Sequence, residues 1–150
     1  MSFFGMNSPE ALFEKALRER ARMAEQLHVD HVYNFFVTVG QLPDYVRRRT
    51  DIPHAKVDAL CKHPTLRLAR DLCDAAKHVD LTKPGRTTPS ANIYENSAFR
   101  APFGAWNFGP QKTNWLVYVN EGYLGIGVIA DEAISLWRQF LQEHGMTLAD

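Results

Sequence analysis

Hydrophobic residues fall at helical spacing through the first half of the chain. After Ser8-Pro9-Glu10, the positions Phe13, Ala16, Leu17, Ala24 and Leu27 form one face, while Glu14, Lys15, Arg18, Glu19, Arg22 and Glu25 form the other. Serine is a good cap, proline suits the first turn, and glutamate favours the positive pole of the helix dipole. The pattern predicts an amphipathic helix of about five turns. A second helix is expected from a cap at Asp30, with Val29, Val32, Tyr33, Phe36 and Val39 as its stripe. Phe35 and Val37 widen that stripe, so this helix is expected to be the most buried. Gly40 and Pro43 fall inside it and predict a kink near Gly40. The helix then resumes through Tyr45 and Val46 to Arg47-Arg48-Arg49.

Thr50-Asp51-Ile52-Pro53 breaks the run, and a short helix is expected over 54–62. His63-Pro64 restarts a helix whose apolar side is Leu66, Ala69, Leu72, Cys73 and Ala76. Its polar side carries Arg67, Arg70, Asp74, Lys77 and His78, and Lys83-Pro84-Gly85 stops it. Residues 83–112 change character: prolines, glycines and small polar residues surround Tyr94, Phe99, Phe103, Trp106 and Phe108. They read as a long loop pinned by its aromatics, with one short strand near Ile93-Tyr94. Residues 114–119 have strand composition, Asn120-Glu121-Gly122 is a turn, and 123–129 return as a second strand of a hairpin. In that strand Leu124, Ile126 and Val128 are expected on one face, and Gly125 and Gly127 on the other. Asp131 should cap a last helix with Ala133, Ile134, Trp137, Phe140 and Leu141 inside and Gly145 as its stop.

The expected fold is a single α+β domain, mainly α: a helical bundle over about 8–82, a long aromatic loop over about 83–112, and a C-terminal β-hairpin with a closing helix over about 113–145. With 150 residues, there is room for one such core. No apolar run is long enough to span a membrane. The chain holds 17 basic and 17 acidic residues, a balance that argues against binding duplex DNA by charge. The charge is uneven: residues 41–90 hold ten basic and six acidic side chains, and residues 91–150 hold three and six. The basic middle is either a set of solvated helix faces or a surface for a phosphate or an acidic partner. The opening Met1-Ser2-Phe3-Phe4-Gly5-Met6 has neither a basic start nor a long apolar stretch, so a cytoplasmic location is expected. Cys61 and Cys73 are then expected as free thiols.

The strongest candidate for chemistry is the run from Arg70 to His78. Positions i, i+4, i+7 and i+8 share a helix face, which groups Arg70, Asp74, Lys77 and His78. Arginine can hold phosphate oxygens and stabilise charge that builds on them, and histidine can exchange a proton near neutral pH. Such a cluster could cleave RNA through the ribose 2′-hydroxyl without a metal. Spacing alone favours the plainer reading, a helix end with an i, i+4 ion pair and basic groups at its favourable pole. Asn34 and Asp44 are polar residues on the mostly apolar second helix, and either could orient His78. Metal binding is not expected: Cys61, His63, His54 and His78 are suitable types, but no C-x-x-C or H-x-x-x-H pair occurs. No nucleotide fingerprint, P-loop or nucleophile elbow is present, and no cofactor is expected.

Tyr33-Asn34-Phe35-Phe36-Val37-Thr38, Leu42-Pro43-Asp44-Tyr45, and Arg70-Asp71-Leu72 through Lys77-His78 resemble a group of uncharacterised bacterial and phage proteins. Those proteins close with a strand, a glycine turn and a helix carrying a tryptophan, as Trp137 does here. The helical half looks more distantly like HEPN domains, small and often dimeric helical bundles of toxin–antitoxin and other defence systems. Many of these are metal-independent ribonucleases with an arginine and a histidine on one helix; others are inactive scaffolds. The resemblance implies Arg70 and His78 for those two roles, with seven residues between them, more than that motif usually has.

The leading expectation is a HEPN-like interaction or scaffold protein, homodimeric, linked to phage or mobile elements, with an RNA or protein partner. A metal-independent ribonuclease using Arg70 and His78 is the alternative. A third reading is a small-molecule-binding domain whose aromatic pocket is lined by Trp106, Phe108 and Trp115.

Overall fold

The computed structural model describes residues 5–77, 92–96, 114–119 and 122–149. Among these lie five helices and three strands: α1 (Pro9–Glu25), α2 (Val29–Arg47), α3 (His54–Cys61), α4 (Pro64–Lys77), β1 (Asn92–Asn96), β2 (Asn114–Val119), β3 (Gly122–Gly125) and α5 (Ile126–Glu143). The fold is mainly helical with a small antiparallel sheet. No helix among the described residues is long and apolar enough to cross a membrane.

Helix α1 begins as its sequence predicts. The Ser8 hydroxyl accepts from the Ala11 amide at 3.2 Å, and Pro9 opens the first turn. Its buried side is Leu12, Phe13, Ala16 and Met23, while Ala24 is exposed. Glu19, expected on the polar face, is buried. Its Oε1 accepts from Arg22 Nη1 at 2.8 Å and Lys15 Nζ at 3.4 Å. Lys15 Nζ also donates to Thr38 Oγ1 at 2.7 Å, and the Thr38 hydroxyl donates to the Asn34 carbonyl at 2.6 Å. Two buried polar side chains are therefore tied together across the α1–α2 contact through one lysine.

The cap of α2 is His28, whose Nδ1 accepts from the Asp30 amide at 3.2 Å; Asp30 itself lies in the first turn. The imidazole takes the capping role because the helix starts two residues earlier than a cap at Asp30 would place it. Val32, Phe35, Phe36, Val39, Leu42 and Val46 are buried, but Val29 and Tyr33 are exposed although they belong to the predicted stripe. The helix runs unbroken through Gly40 and Pro43. Gly40 serves a helix crossing: a Cβ there would lie 2.5 Å from Cys73 Sγ and 3.0 Å from Cys73 Cβ. Helix α2 is central, packing on α1, α3, α4 and α5.

The C-terminal part departs most from the expected hairpin. The strand expected near Ile93-Tyr94 is β1, and it pairs antiparallel with β2, Asn92 facing Tyr118 and Asn96 facing Asn114. Strand β3 completes a sheet of order β1-β2-β3, with Leu116 facing Gly125 and Val119 facing Gly122. Here β3 ends at Gly125, and Ile126 to Ile129, expected as strand, form the first turn of α5. Leu124 and Val128 are exposed while Ile126 is buried, so the three do not share a face. Ile126, Ile129, Ala130, Ala133, Trp137, Phe140 and Leu141 make one continuous buried stripe at helical spacing. Burial of that stripe overrides the β propensity of the isoleucines and valine. Asp131 is consequently inside α5 and does not cap it. Its carboxylate takes a two-point contact from Arg20, Nε at 2.6 Å and Nη2 at 3.1 Å, which ties α5 to α1. Gly145, with φ of 75°, stops the helix as expected.

Two substitutions test this packing. Gly40→Ala should cost roughly 1–3 kcal/mol by overpacking, measured by urea denaturation, and Cys73→Ala in the same chain should recover part of that loss. Glu19→Ala should cost about 1–3 kcal/mol in the same assay, because it strips Lys15 and Arg22 of a buried acceptor.

Candidate functional site

Helices α2, α3, α4 and α5 contribute to a cleft of about 310 Å³. Its floor is built from Val39, Gly40, Pro43, Leu66, Ala69, Cys73 and Trp137, and its polar lining from Asp44, Arg47, Cys61, Arg70, Asp74 and Lys77. The floor follows from the close α2–α4 crossing at Gly40. The lining follows from the spacing of α4, since positions 70, 74 and 77 stand on one side of that helix. The structure thus brings Arg70, Asp74 and Lys77 to one cleft, and adds Asp44 from α2.

Arg47 is the most firmly held of the cations. Its Nη2 donates to Asp58 Oδ1 at 2.8 Å and its Nη1 to Asp44 Oδ1 at 3.2 Å. The hydrogen bond that Arg47 donates to Asp58 raises the Arg47 pKa above its ordinary value. Arg70 is held more loosely, with Nη2 at 3.6 Å from Asp71 Oδ1 and 52% of its side-chain surface exposed. Asp71 itself is buried, as are Leu68 and Leu72 of the same helix. Lys77 is exposed and Asp74 is half-buried.

Cys61 stands in the same cleft, half-buried, and is not disulfide-bonded; Cys73 is free and buried. Burial raises the Cys61 thiol above its ordinary pKa, and Arg47 opposes that shift, followed by smaller contributions from Asp58, which raises it, and Arg70, which lowers it. The sequence does not group Arg47 and Cys61 with the α4 polar set. Arg47 was hidden in a triplet that reads as a helix end, and Cys61 stands on a short helix with a weak pattern. The triplet also disperses. Arg48 lies over the Tyr45 ring at 5.2 Å, and Arg49 takes Asp51 at 2.8 and 3.0 Å. The Arg49 hydrogen bond holds the Asp51 carboxyl below its usual range.

The other sequence candidates separate. Asn34 is exposed on α2 and does not line the cleft. Trp115 is half-buried against the core, away from the cleft lining, and its buried Nε1 has no hydrogen-bond partner among the described residues. His78 and Trp106 lie outside the described residues, as does the coupling of His78 to Asn34 or Asp44. His54 Nε2 lies 3.0 Å from the Arg47 carbonyl, and His63 Nδ1 accepts from the Thr65 amide at 3.2 Å, so both histidines serve chain geometry. Among the described residues no group of three or more His, Cys, Asp or Glu side chains could hold a metal ion.

Comparison with known proteins adds no relative: no family model, no curated protein and no solved structure matches the chain.

The electrostatics of the cleft are open to a direct test. Arg47→Gln removes the charge that offsets burial at Cys61, so the Cys61 pKa should rise and its alkylation at pH 8 should slow by roughly twofold or more. Cys73 should stay unreacted until the chain is unfolded. Peptide mass analysis after timed iodoacetamide treatment reads both.

Proposed function

We propose that the chain is a HEPN-like helical interaction protein that acts as a scaffold and associates with a second copy of itself, in the setting of phage or mobile elements. The observation that carries the self-association is on α2. Val29 and Tyr33, one turn apart, are 54% and 43% exposed on the helix that otherwise supplies much of the core. Paired apolar side chains of that size at adjacent turns suit a helix-to-helix contact between copies. The HEPN-like assignment draws on the helical bundle with α2 at its centre, and on the sequence resemblance.

A metal-independent ribonuclease is the second reading, favoured by one observation: Arg70, Asp74 and Lys77 line a single cleft. In that reading Arg70 holds a phosphodiester and His78 moves the proton of the ribose hydroxyl.

Two experiments separate these functions. Sedimentation at micromolar concentration should give a dimer, and Tyr33→Glu should give a monomer with the same circular dichroism; a monomeric parent protein rejects the self-associating scaffold. Incubation with mixed RNA in EDTA should leave the RNA intact. Cleavage that is lost in His78→Ala, with the fold retained, would establish the ribonuclease.

A further inference from the structure

We propose that the first turn of α2 is a pH-sensitive device, in which protonation of His28 undoes the cap that starts the helix. The His28 imidazole accepts from the Asp30 amide through Nδ1 at 3.2 Å. That role requires a lone pair on Nδ1, so the neutral ring carries its proton on Nε2. The His28 carbonyl accepts from the amides of His31 and Val32, each at 3.1 Å, so one residue satisfies three donors of the first turn. Imidazole is the side chain whose charge ordinarily changes between about pH 5 and 8, and this one is half-exposed to the water that supplies the proton. When that proton adds at Nδ1, the ring has N–H donors on both nitrogens and no acceptor, and the Asp30 amide loses its partner.

The charged surroundings decide how far the turn loosens. Nδ1 also lies 3.5 Å from Asp30 Oδ2, so the protonated ring exchanges an amide donor for a carboxylate acceptor on the same residue. That carboxylate is 76% exposed, and an ion pair so open to solvent contributes little. Two effects oppose the protonated state. It places positive charge at the positive pole of α2. The His31 ring, with its centroid 6.0 Å from that of His28, is a second imidazole that gains the same charge in acid. On α1, Arg22 donates to Glu19 at 2.8 Å, and Glu25 at the helix end is exposed. The ion pairs that α3, α4 and α5 make among the described residues are Arg47–Asp58, Arg70–Asp71 and Arg20–Asp131, none of which involves His28. The cap is therefore complete above the imidazole range and is lost as pH falls through it. Val29, exposed on the protein surface, is the first residue of this turn. Loosening the turn displaces a side chain offered to a second copy, a consequence that rests on the self-association reading; the cap exchange does not.

Nitrogen-15 NMR and amide exchange of the full chain between pH 7.5 and 5.5 test the device. The Asp30 amide signal should follow the titration of the His28 ring. Protection of the His31 and Val32 amides, corrected for the intrinsic pH dependence of exchange, should fall about threefold to fivefold in acid. His28→Asn, whose side-chain oxygen caps without titrating, should abolish both effects. Asp30→Ala removes the carboxylate that receives the new donor, and should deepen the acid loss to about tenfold. The proposal is overturned if the Asp30 amide does not titrate with His28, or if His28→Asn keeps the acid loss. It is also overturned if the amides of Ala133 and Trp137 in α5 lose protection equally, since the change is then global unfolding. Sedimentation at the two pH values reads the consequence: self-association should weaken in acid in the parent protein and not in His28→Asn. A protein that is monomeric at both pH values rejects the scaffold reading, while the amide signals still decide the cap.

Discussion

The contact of Gly40 with Cys73 decides how α2 and α4 lie against each other, and much else is built on that crossing. With no Cβ on α2 at this point, the Cys73 side chain sits directly against the helix backbone. Any larger residue would push α4 outward. The cleft floor is made of this crossing and its neighbours, Val39, Pro43, Leu66 and Ala69, so the cleft exists because the helices meet closely on one side. The same approach brings the polar face of α4 beside Asp44 and Arg47, which stand more than twenty positions earlier in the chain.

Around that crossing the core is apolar and continuous. Trp137, Phe13, Phe35 and Phe36 are fully buried, and burying one such side chain contributes about 1.5–3 kcal/mol relative to leaving it exposed. Polar ties then fix how the helices are placed. Arg20 and Asp131 join α1 to α5 with two hydrogen bonds across the surface. Lys15, Glu19 and Thr38 join α1 to α2 nearer the interior. An exposed pair such as Arg20–Asp131 contributes little energy. Its value lies in orientation, since it holds the first turns of α5 against α1 where Gly127 approaches Arg20.

Charge has two different fates in this molecule. The arginine triplet looks like a basic patch in the sequence, yet Arg47 and Arg49 are each claimed by carboxylates and Arg48 lies over an aromatic ring. On α4 the balance differs, because Asp71 is buried and leaves Arg70 with a distant partner. A single buried aspartate thus sets the character of the face beside it. The candidate site is defined as much by which cations are committed elsewhere as by which are present.

The helices α1 to α4 were legible because their apolar positions repeat at helical spacing and their starts carry recognisable residues, Ser8-Pro9 and His63-Pro64 among them. The polar set Arg70, Asp74 and Lys77 was legible for the same reason, since one helix alone places them together. Glu19 was not, because a carboxylate on a predicted polar face becomes buried only when Lys15, Arg22 and α2 close over it. Residues Ile126 to Ile129 read as strand because β-branched residues beside glycines favour a strand locally, whereas the burial of Ile126 and Ile129 in line with Ala133 and Trp137 is a long-range fact. The role of Gly40 is hidden similarly, because its closeness to Cys73 depends on a facing helix more than thirty positions further along the chain. By itself, the sequence determined the helical elements and the chemistry carried on one face of α4, both products of local periodicity. Tertiary structure alone decided the start of α5, the partners of each arginine and the cleft itself, because each depends on contacts between residues far apart in the chain.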